Sequence, residues 1–133
     1  MKKKFSQNVK KSVKLDPVIK KQWVAALRSG SYKQGMEELR PTPDTFCCYG
    51  VLCNLHAIAH PEVAKYETDF DFYLGIDTMP AETVMLWATG GAACRAGELP
   101  KVSIPGAGFL CLEGHNDKGV SFADIATAIE TQL

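Results

Sequence analysis

The residues best suited to catalytic chemistry are a cysteine and a histidine, Cys47 and His115. Cys47 lies near the start of a predicted helix, where free amide groups and the helix dipole favour the thiolate form. His115 could then act as the general base, oriented by Asn116, which is the arrangement of a cysteine hydrolase. The order of cysteine before histidine also matches papain-like enzymes. The sequence therefore allows a cysteine-dependent hydrolase.

Two features weigh against this hydrolase. Cys48 directly follows Cys47, which is typical of cysteines that serve as small apolar side chains in a core. Gly114 and Gly119 flank His115 and predict a turn, and a residue next to a histidine in the sequence rarely points back to its ring. We therefore expect a protein without a catalytic residue and keep the hydrolase as the alternative.

A second group of reactive side chains consists of Cys53, His56 and His60. On a helix, their spacing places one thiol and two imidazoles on one face, and zinc binds both ligand types. The sequence contains no CxxC pair that would strengthen a zinc site. We expect His56 at the edge of the core and His60 at a helix end, where the dipole favours it, with no metal or other cofactor.

The amino-acid totals indicate one globular domain. The chain has 133 residues, of which 46% are hydrophobic and 23% are charged, which excludes disordered, collagen-like and coiled-coil classes. Six of its 15 basic residues precede the first acid, Asp16, and the other nine share the rest of the chain with 15 acids. We expect a basic, flexible arm at 1–15 and a single domain at 16–133.

The basic arm raises the question of an anionic partner. Phe5 is the only aromatic residue among the lysines, so bases would have little to stack on, and we do not expect nucleic acid to bind. No stretch approaches the roughly 20 apolar residues that cross a bilayer, and no apolar run of a secretory signal follows the lysines. We expect no membrane contact, a cytoplasmic location, and five reduced cysteines.

Apolar spacing and capping residues predict the first two helices. Aspartate and proline at 16–17 begin the first, which Gly30 ends. The second runs over 46–60 with Asp44 or Thr45 as its cap, and Pro61 stops it. Because this second helix is apolar over most of its girth, we expect it to be the central buried helix.

A glycine inside the predicted central helix gives a packing expectation. Glycine costs a helix interior about 1 kcal/mol relative to alanine. Its presence at Gly50 therefore indicates that another backbone passes close to the helix at this position.

The rest of the chain completes an α+β fold that is mainly helical. A third helix begins at Pro80, and the last runs over 122–131 behind the cap Ser121. Alternation of acids and aromatics at 62–77 predicts a strand, with an irregular acidic loop as the alternative. The alternation at 101–104 also predicts a strand, while 109–112 fits either strand or helix. We expect flanking helices and a small antiparallel sheet around the central helix.

Three stretches of the chain together resemble one family. They have the sequences LRSGSYKQG at 27–35, FCCYGVLC at 46–53 and NDKGVSFADIA at 116–126. In this order they are similar to small uncharacterised proteins of phages, prophages and bacteria, over 18–130 of this chain. The resemblance implies an accessory protein that acts on a host component, and it implies no activity, cofactor or catalytic residue. The position of His115 looks apolar in similar proteins.

Candidate binding residues are the polar side chains of these stretches that a core does not need. They are Arg28, Tyr32, Gln34, Asn116 and Asp117. We expect them to line a concave surface beside a turn at 116–119, although caps and turns would use the same residue types.

The leading functional interpretation is a non-enzymatic protein of phage or prophage type that binds a host protein or a small ligand. A second possibility follows from the acidic chain after Asp16, which could mimic nucleic acid and inhibit a basic host factor.

Overall fold

The structure is a computed structural model that describes residues 13–62 and 79–133. Its helices are α1 (Pro17–Arg28), α2 (Cys48–Ala59), α3 (Glu82–Ala88), α4 (Leu112–Asp117) and α5 (Phe122–Gln132). Its strands are β1 (Lys33–Gln34) and β2 (Thr45–Phe46), which pair in parallel, and β3 (Val102–Ile104) and β4 (Gly108–Leu110), which pair antiparallel. The predicted class, α+β and mainly helical with a small antiparallel sheet, is confirmed.

Helix α1 begins where the sequence places it. The Asp16 carboxylate accepts hydrogen bonds from the amides of Val18 and Ile19, at 3.1 and 3.2 Å, which satisfies two amides that a helix start leaves without partners. Its inner face buries Trp23, whose indole nitrogen donates to the Cys48 carbonyl at 3.0 Å. This bond fixes α1 against the start of α2.

Helix α2 starts later than predicted. Thr45 and Phe46 are extended and form β2, and the cap is Cys47, whose sulfur accepts a hydrogen bond from the Gly50 amide at 3.4 Å. Residues 48–53 are buried, as expected of the central helix. Its last turns are less enclosed, since Ile58 is 67% exposed.

The expectation for Gly50 is confirmed. A Cβ atom at this position would overlap the carbonyl oxygen of Leu39 and would lie 2.8 Å from its carbonyl carbon. The same Leu39 oxygen accepts a hydrogen bond from the Cys47 amide at 3.0 Å. Glycine therefore allows the backbone at Leu39 to lie directly against the first turn of α2.

Two further predictions concern the middle of the chain. Helix α3 forms near the predicted position and ends at Thr89, and Gly90 and Gly91 follow with φ of 64° and 90°. The strand predicted at 62–77 falls, apart from Glu62, outside the described residues.

The segment around His115 corrects the predicted turn. Residues 108–110 form the second strand of the antiparallel hairpin, and His115 lies in α4, which ends before Gly119 at φ 85°. Gly114 is thus a helical residue. The turn chemistry of this stretch is confined to Lys118 and Gly119, at the junction with α5.

The two ends of the described chain meet beside α1 and α5. Leu15 is only 5% exposed, and its amide donates to the Leu133 carbonyl at 3.4 Å. Leu15, which the sequence assigns to the arm, therefore belongs to the packed core, whereas residues 1–12 lie outside the described part. In 13–62 and 79–133, the search for a helix with the length and hydropathy of a membrane span found none.

Candidate functional site

A buried asparagine holds together three segments that are distant in the sequence. Asn116 is fully buried in α4, and its Oδ1 accepts hydrogen bonds from the Cys48 amide at 3.1 Å and from Gln34 Nε2 at 3.0 Å. Its Nδ2 donates to the Gly35 carbonyl at 2.8 Å. Asn116 therefore caps the first turn of α2 from outside that helix and ties it to the end of β1.

The residues around Asn116 are in turn held by each other. Gln34 Nε2 also donates to the Val120 carbonyl, at 2.7 Å. Gly35 packs tightly, because a Cβ atom there would lie 2.9 Å from Pro41 Cγ and 3.0 Å from Thr45 Oγ1. Both side-chain amide protons of Gln34 thus have a use inside the fold.

Asp117 extends this network to the loop between β1 and β2. Its Oδ1 accepts a hydrogen bond from the Glu37 amide at 2.7 Å. Glu37 has a φ of 74°, in the left-handed region, which costs a residue other than glycine about 1 kcal/mol. The hydrogen bond from Glu37 to Asp117 helps to hold this unfavourable backbone conformation in place.

The Cys47 thiol faces the interior. Its side chain is 4% exposed. Burial raises the pKa of the thiol to about 11, although hydrogen bonds from the Gly50 and Tyr49 amides act in the opposite direction. At neutral pH the thiol is therefore protonated, and desolvation outweighs the helix-terminal effect that the sequence indicates.

His115 is used as a structural donor. It is completely buried, and its Nε2 lies 2.8 Å from the Val102 carbonyl oxygen. Because a carbonyl only accepts hydrogen bonds, Nε2 carries the proton, and Nδ1 has no partner among the described residues. Within 13–62 and 79–133, no hydrogen bond links His115 to Cys47, so the pairing that the hydrolase needs is not formed.

The side chains considered as alternative zinc ligands lie at different depths on α2 and at its C-cap, His60. Cys53 is fully buried, and burial raises the pKa of its thiol far above the ordinary range. The ring centroids of His56 and His60 lie 4.6 Å apart, and each ring packs nearly perpendicular to the Trp87 ring, at 5.0 and 5.9 Å. Burial, and then the His60 charge, lower the pKa of His56 to about 4. Over the described ranges, no group of three His, Cys, Asp or Glu side chains has the arrangement of metal ligands.

The two remaining candidate binding residues form bonds outside the Asn116 network. Arg28 contacts α5, where its guanidinium lies 3.0 Å from the Glu130 carboxylate and 3.2 Å from Thr127 Oγ1. The hydroxyl of Tyr32 accepts a hydrogen bond from Asn54 at 2.6 Å. The structure thus brings together Gln34, Asn116 and Asp117, and it places Arg28 on another face.

The buried network lies inside the part of the chain that matches a protein family. A family model described as a domain of unknown function, DUF8296, matches residues 15–133. The chain belongs to the DUF8296 family. No curated protein and no solved structure matches it. The match begins at Leu15, which is buried, and it includes every residue of the Asn116 network.

Two lysines on the surface of this DUF8296 domain are absent from the sequence-based candidates. Lys20 and Lys21 line a groove between α1 and α5 of about 610 Å³, and Arg28 lies at its other end. Lys20 and Lys21 precede Arg28 by eight and seven positions, about two helical turns, so the sequence itself indicates that the three cations lie on one side of α1. This spacing is easily overlooked, because the strongest cationic pattern in the sequence is the lysine arm before Asp16.

Proposed function

We propose that this DUF8296 protein is a non-enzymatic interaction protein of phage or prophage type, which acts in the host cytoplasm by binding a host protein. The observation that carries the proposal is the state of Asn116, the side chain at which the three sequence stretches meet. Both lone pairs of its oxygen and one amide proton are occupied by Cys48, Gln34 and Gly35.

A catalytic side chain must keep hydrogen-bonding capacity for its substrate. Asn116 is fully buried and lacks that capacity at its oxygen. Cys47 has a protonated thiol that caps α2, and His115 donates to a backbone carbonyl. These observations favour a scaffold role for the residues that a hydrolase would use.

The phage or prophage origin rests on the resemblance of the three sequence stretches. A small accessory protein of this kind acts by contact with a host component, and a rigid scaffold with charged helix surfaces is suited to that role. The Asn116 network supplies rigidity, since it joins α2, β1 and α4 through side-chain bonds.

Thiol reactivity tests the non-enzymatic part of the proposal. The folded protein is treated with iodoacetamide near neutral pH, and alkylation of each cysteine is followed by peptide mass spectrometry. Cys94 and Cys111, which are partly exposed, serve as internal controls. We expect them to react well before Cys47, which should react only in urea. Alkylation of Cys47 ahead of both controls would overturn the proposal and restore the hydrolase.

Partner capture tests the interaction part. Crosslinking in an extract of host cells is compared for the wild type, Cys47→Ser and His115→Leu. Serine retains a cap for α2, and leucine fills the volume of the histidine. We expect the same crosslinked host protein at equal yield with all three. The proposal is contradicted if both variants fold but lose the crosslinked host protein. It is also contradicted if the wild type crosslinks to no specific host protein.

A further inference from the structure

The outward face of α1 forms one side of a groove, and α5 contributes Glu130 to the other. The groove has a volume of about 610 Å³. The α1 residues that line it recur every three or four positions, which is the spacing of a single helix face. They are Pro17, Lys20, Lys21, Val24, Ala25 and Arg28.

Charge is unevenly distributed in this groove. Three cations line it against one acid, Glu130, and that acid is paired with Arg28 at 3.0 Å. Lys20 and Lys21 form no salt bridge with an acid of the described residues. The groove therefore has an excess of positive charge, concentrated at the end where the two lysines lie.

An apolar floor separates the two cationic ends. Val24 and Ala25 lie one helical turn from Lys20 and Lys21 on one side and from Arg28 on the other. Lys21 and Arg28 are seven positions apart, which corresponds to about 10 Å, or two turns of helix. A ligand that satisfies the whole groove needs two anionic groups at about this separation with apolar atoms between them.

We infer that the α1–α5 groove docks an acidic amphipathic helix of the partner protein, with acids two turns apart facing Lys20, Lys21 and Arg28. Its apolar side chains lie on Val24 and Ala25, as in other helix-in-groove complexes. The inference rests on the proposed function because it takes the partner to be a protein. It adds the surface that makes contact and the chemistry of the segment that binds.

A protein helix fits this surface better than nucleic acid or lipid phosphate. Phosphate-binding surfaces gain most of their affinity from cations without a buried apolar strip. Here the centre of the groove is apolar, and the Glu130 carboxylate would repel a continuous run of phosphates. Two separated carboxylates on a helix bring fewer charges near Glu130 than a run of phosphates does, and the one that faces Arg28 shares its guanidinium with Glu130.

A model peptide tests the inference with the full-length protein. The probe is a fluorescent, helix-stabilised peptide with two glutamates seven positions apart and leucines at the two central positions between them. The control peptide has lysines in place of the glutamates. We expect the acidic peptide to bind with a Kd on the order of micromolar at low salt, and more weakly as salt is raised. The lysine peptide should not bind.

Three variants locate the binding. Lys20→Glu with Lys21→Glu should weaken binding of the acidic peptide by about tenfold or more, since two attractions become repulsions. Lys101→Glu with Lys118→Glu changes the net charge equally at exposed positions outside the groove lining, and should change binding by less than about twofold. Ala25→Phe fills the groove without changing charge and should weaken binding severalfold.

Four results would overturn the inference. The first is that the acidic peptide does not bind, and the second is that both double variants weaken its binding equally. The third is that duplex DNA or anionic vesicles bind through Lys20 and Lys21 while the peptide does not. The fourth is that this chain forms a dimer that Ala25→Phe disrupts. None of these affects the alkylation of Cys47 or the crosslinked partner. Failure of the docking inference is therefore distinguishable from failure of the proposed function.

Discussion

Asn116 in the interior and Lys20 and Lys21 in the α1–α5 groove are polar side chains in opposite situations. Asn116 has its oxygen and one amide proton engaged by three distant groups, and no solvent reaches it. The two lysines line an open groove and form no salt bridge with a described acid. The comparison separates a side chain whose hydrogen bonds are used inside the fold from two side chains whose ammonium groups stay available, and our proposal assigns the second kind to a partner.

The largest effect on stability should follow from removal of the Asn116 side chain. In Asn116→Ala, the buried Cys48 amide and the Gly35 carbonyl lose their partner, and Gln34 loses one of two. A buried polar group without a partner costs about 1 to 3 kcal/mol, so we expect a loss of about 4 kcal/mol in the free energy of unfolding, measured by urea denaturation.

Asn54→Ala is the matched control, since Asn54 is half-buried and bonds to the Tyr32 hydroxyl. We expect a loss of about 1 kcal/mol. Equal losses in the two variants would mean that Asn116 is an ordinary polar residue and would remove the contrast with the groove.

A slightly smaller loss of stability is expected at the close backbone contact between Gly50 and Leu39. Gly50→Ala places a Cβ atom against the Leu39 carbonyl, and the two segments must separate. We expect a loss of about 3 kcal/mol, as for other overpacked core positions. Gly97→Ala is the control, because a Cβ atom there meets nothing within 4 Å; its stability should stay within about 0.5 kcal/mol of the wild type.

Alkaline pH should reveal the interior position of the Cys47 thiol. The folded state keeps this proton up to a pKa of about 11, whereas the unfolded thiol loses it near 9. The stabilising contribution is thus complete below pH 9 and is lost as pH rises to 11, by about 2 to 3 kcal/mol. In Cys47→Ser the decline between pH 9 and 11 should be shallower by this amount. Parallel curves for the two proteins would place the thiol in solvent.

The smallest change in stability is expected in the groove. Glu130→Gln removes an exposed ion pair with Arg28, and exposed ion pairs contribute little to stability because solvent screens them. The same substitution removes the groove's acid and frees Arg28, so the acidic peptide should bind severalfold more tightly. A large loss of stability with unchanged peptide binding would assign the pair to the scaffold.

The helices with local capping signals were predictable. Asp16 and Ser121 cap α1 and α5 by short-range bonds that sequence spacing reveals. The start of α2 was not predictable, because Thr45 and Phe46 form a strand that pairs with β1. Local periodicity does not indicate this pairing. Gly114 similarly suggested a turn in a segment that forms α4.

Three of the candidate binding residues lie together through contacts that the sequence does not reveal. Gln34, Asn116 and Asp117 are indeed grouped, but Asn116 bonds to residues 82 and 68 positions away. Such distant bonds decide whether a side chain is free or engaged. The low pKa expected for Cys47 failed for a related reason, since burial by the surrounding chain exceeds the local helix effect.

Hydrogen exchange at the Cys48 amide tests the central claim most directly, because this proton is bonded to Asn116 Oδ1 and to no helical carbonyl. If Asn116 is a scaffold residue, the Cys48 amide of the wild type exchanges as slowly as the buried amides of α5. The substitution Asn116→Ala should then accelerate exchange at the Cys48 amide far more than exchange at the α5 amides. Rapid exchange in the wild type, at the rate of an exposed loop amide, would contradict the account.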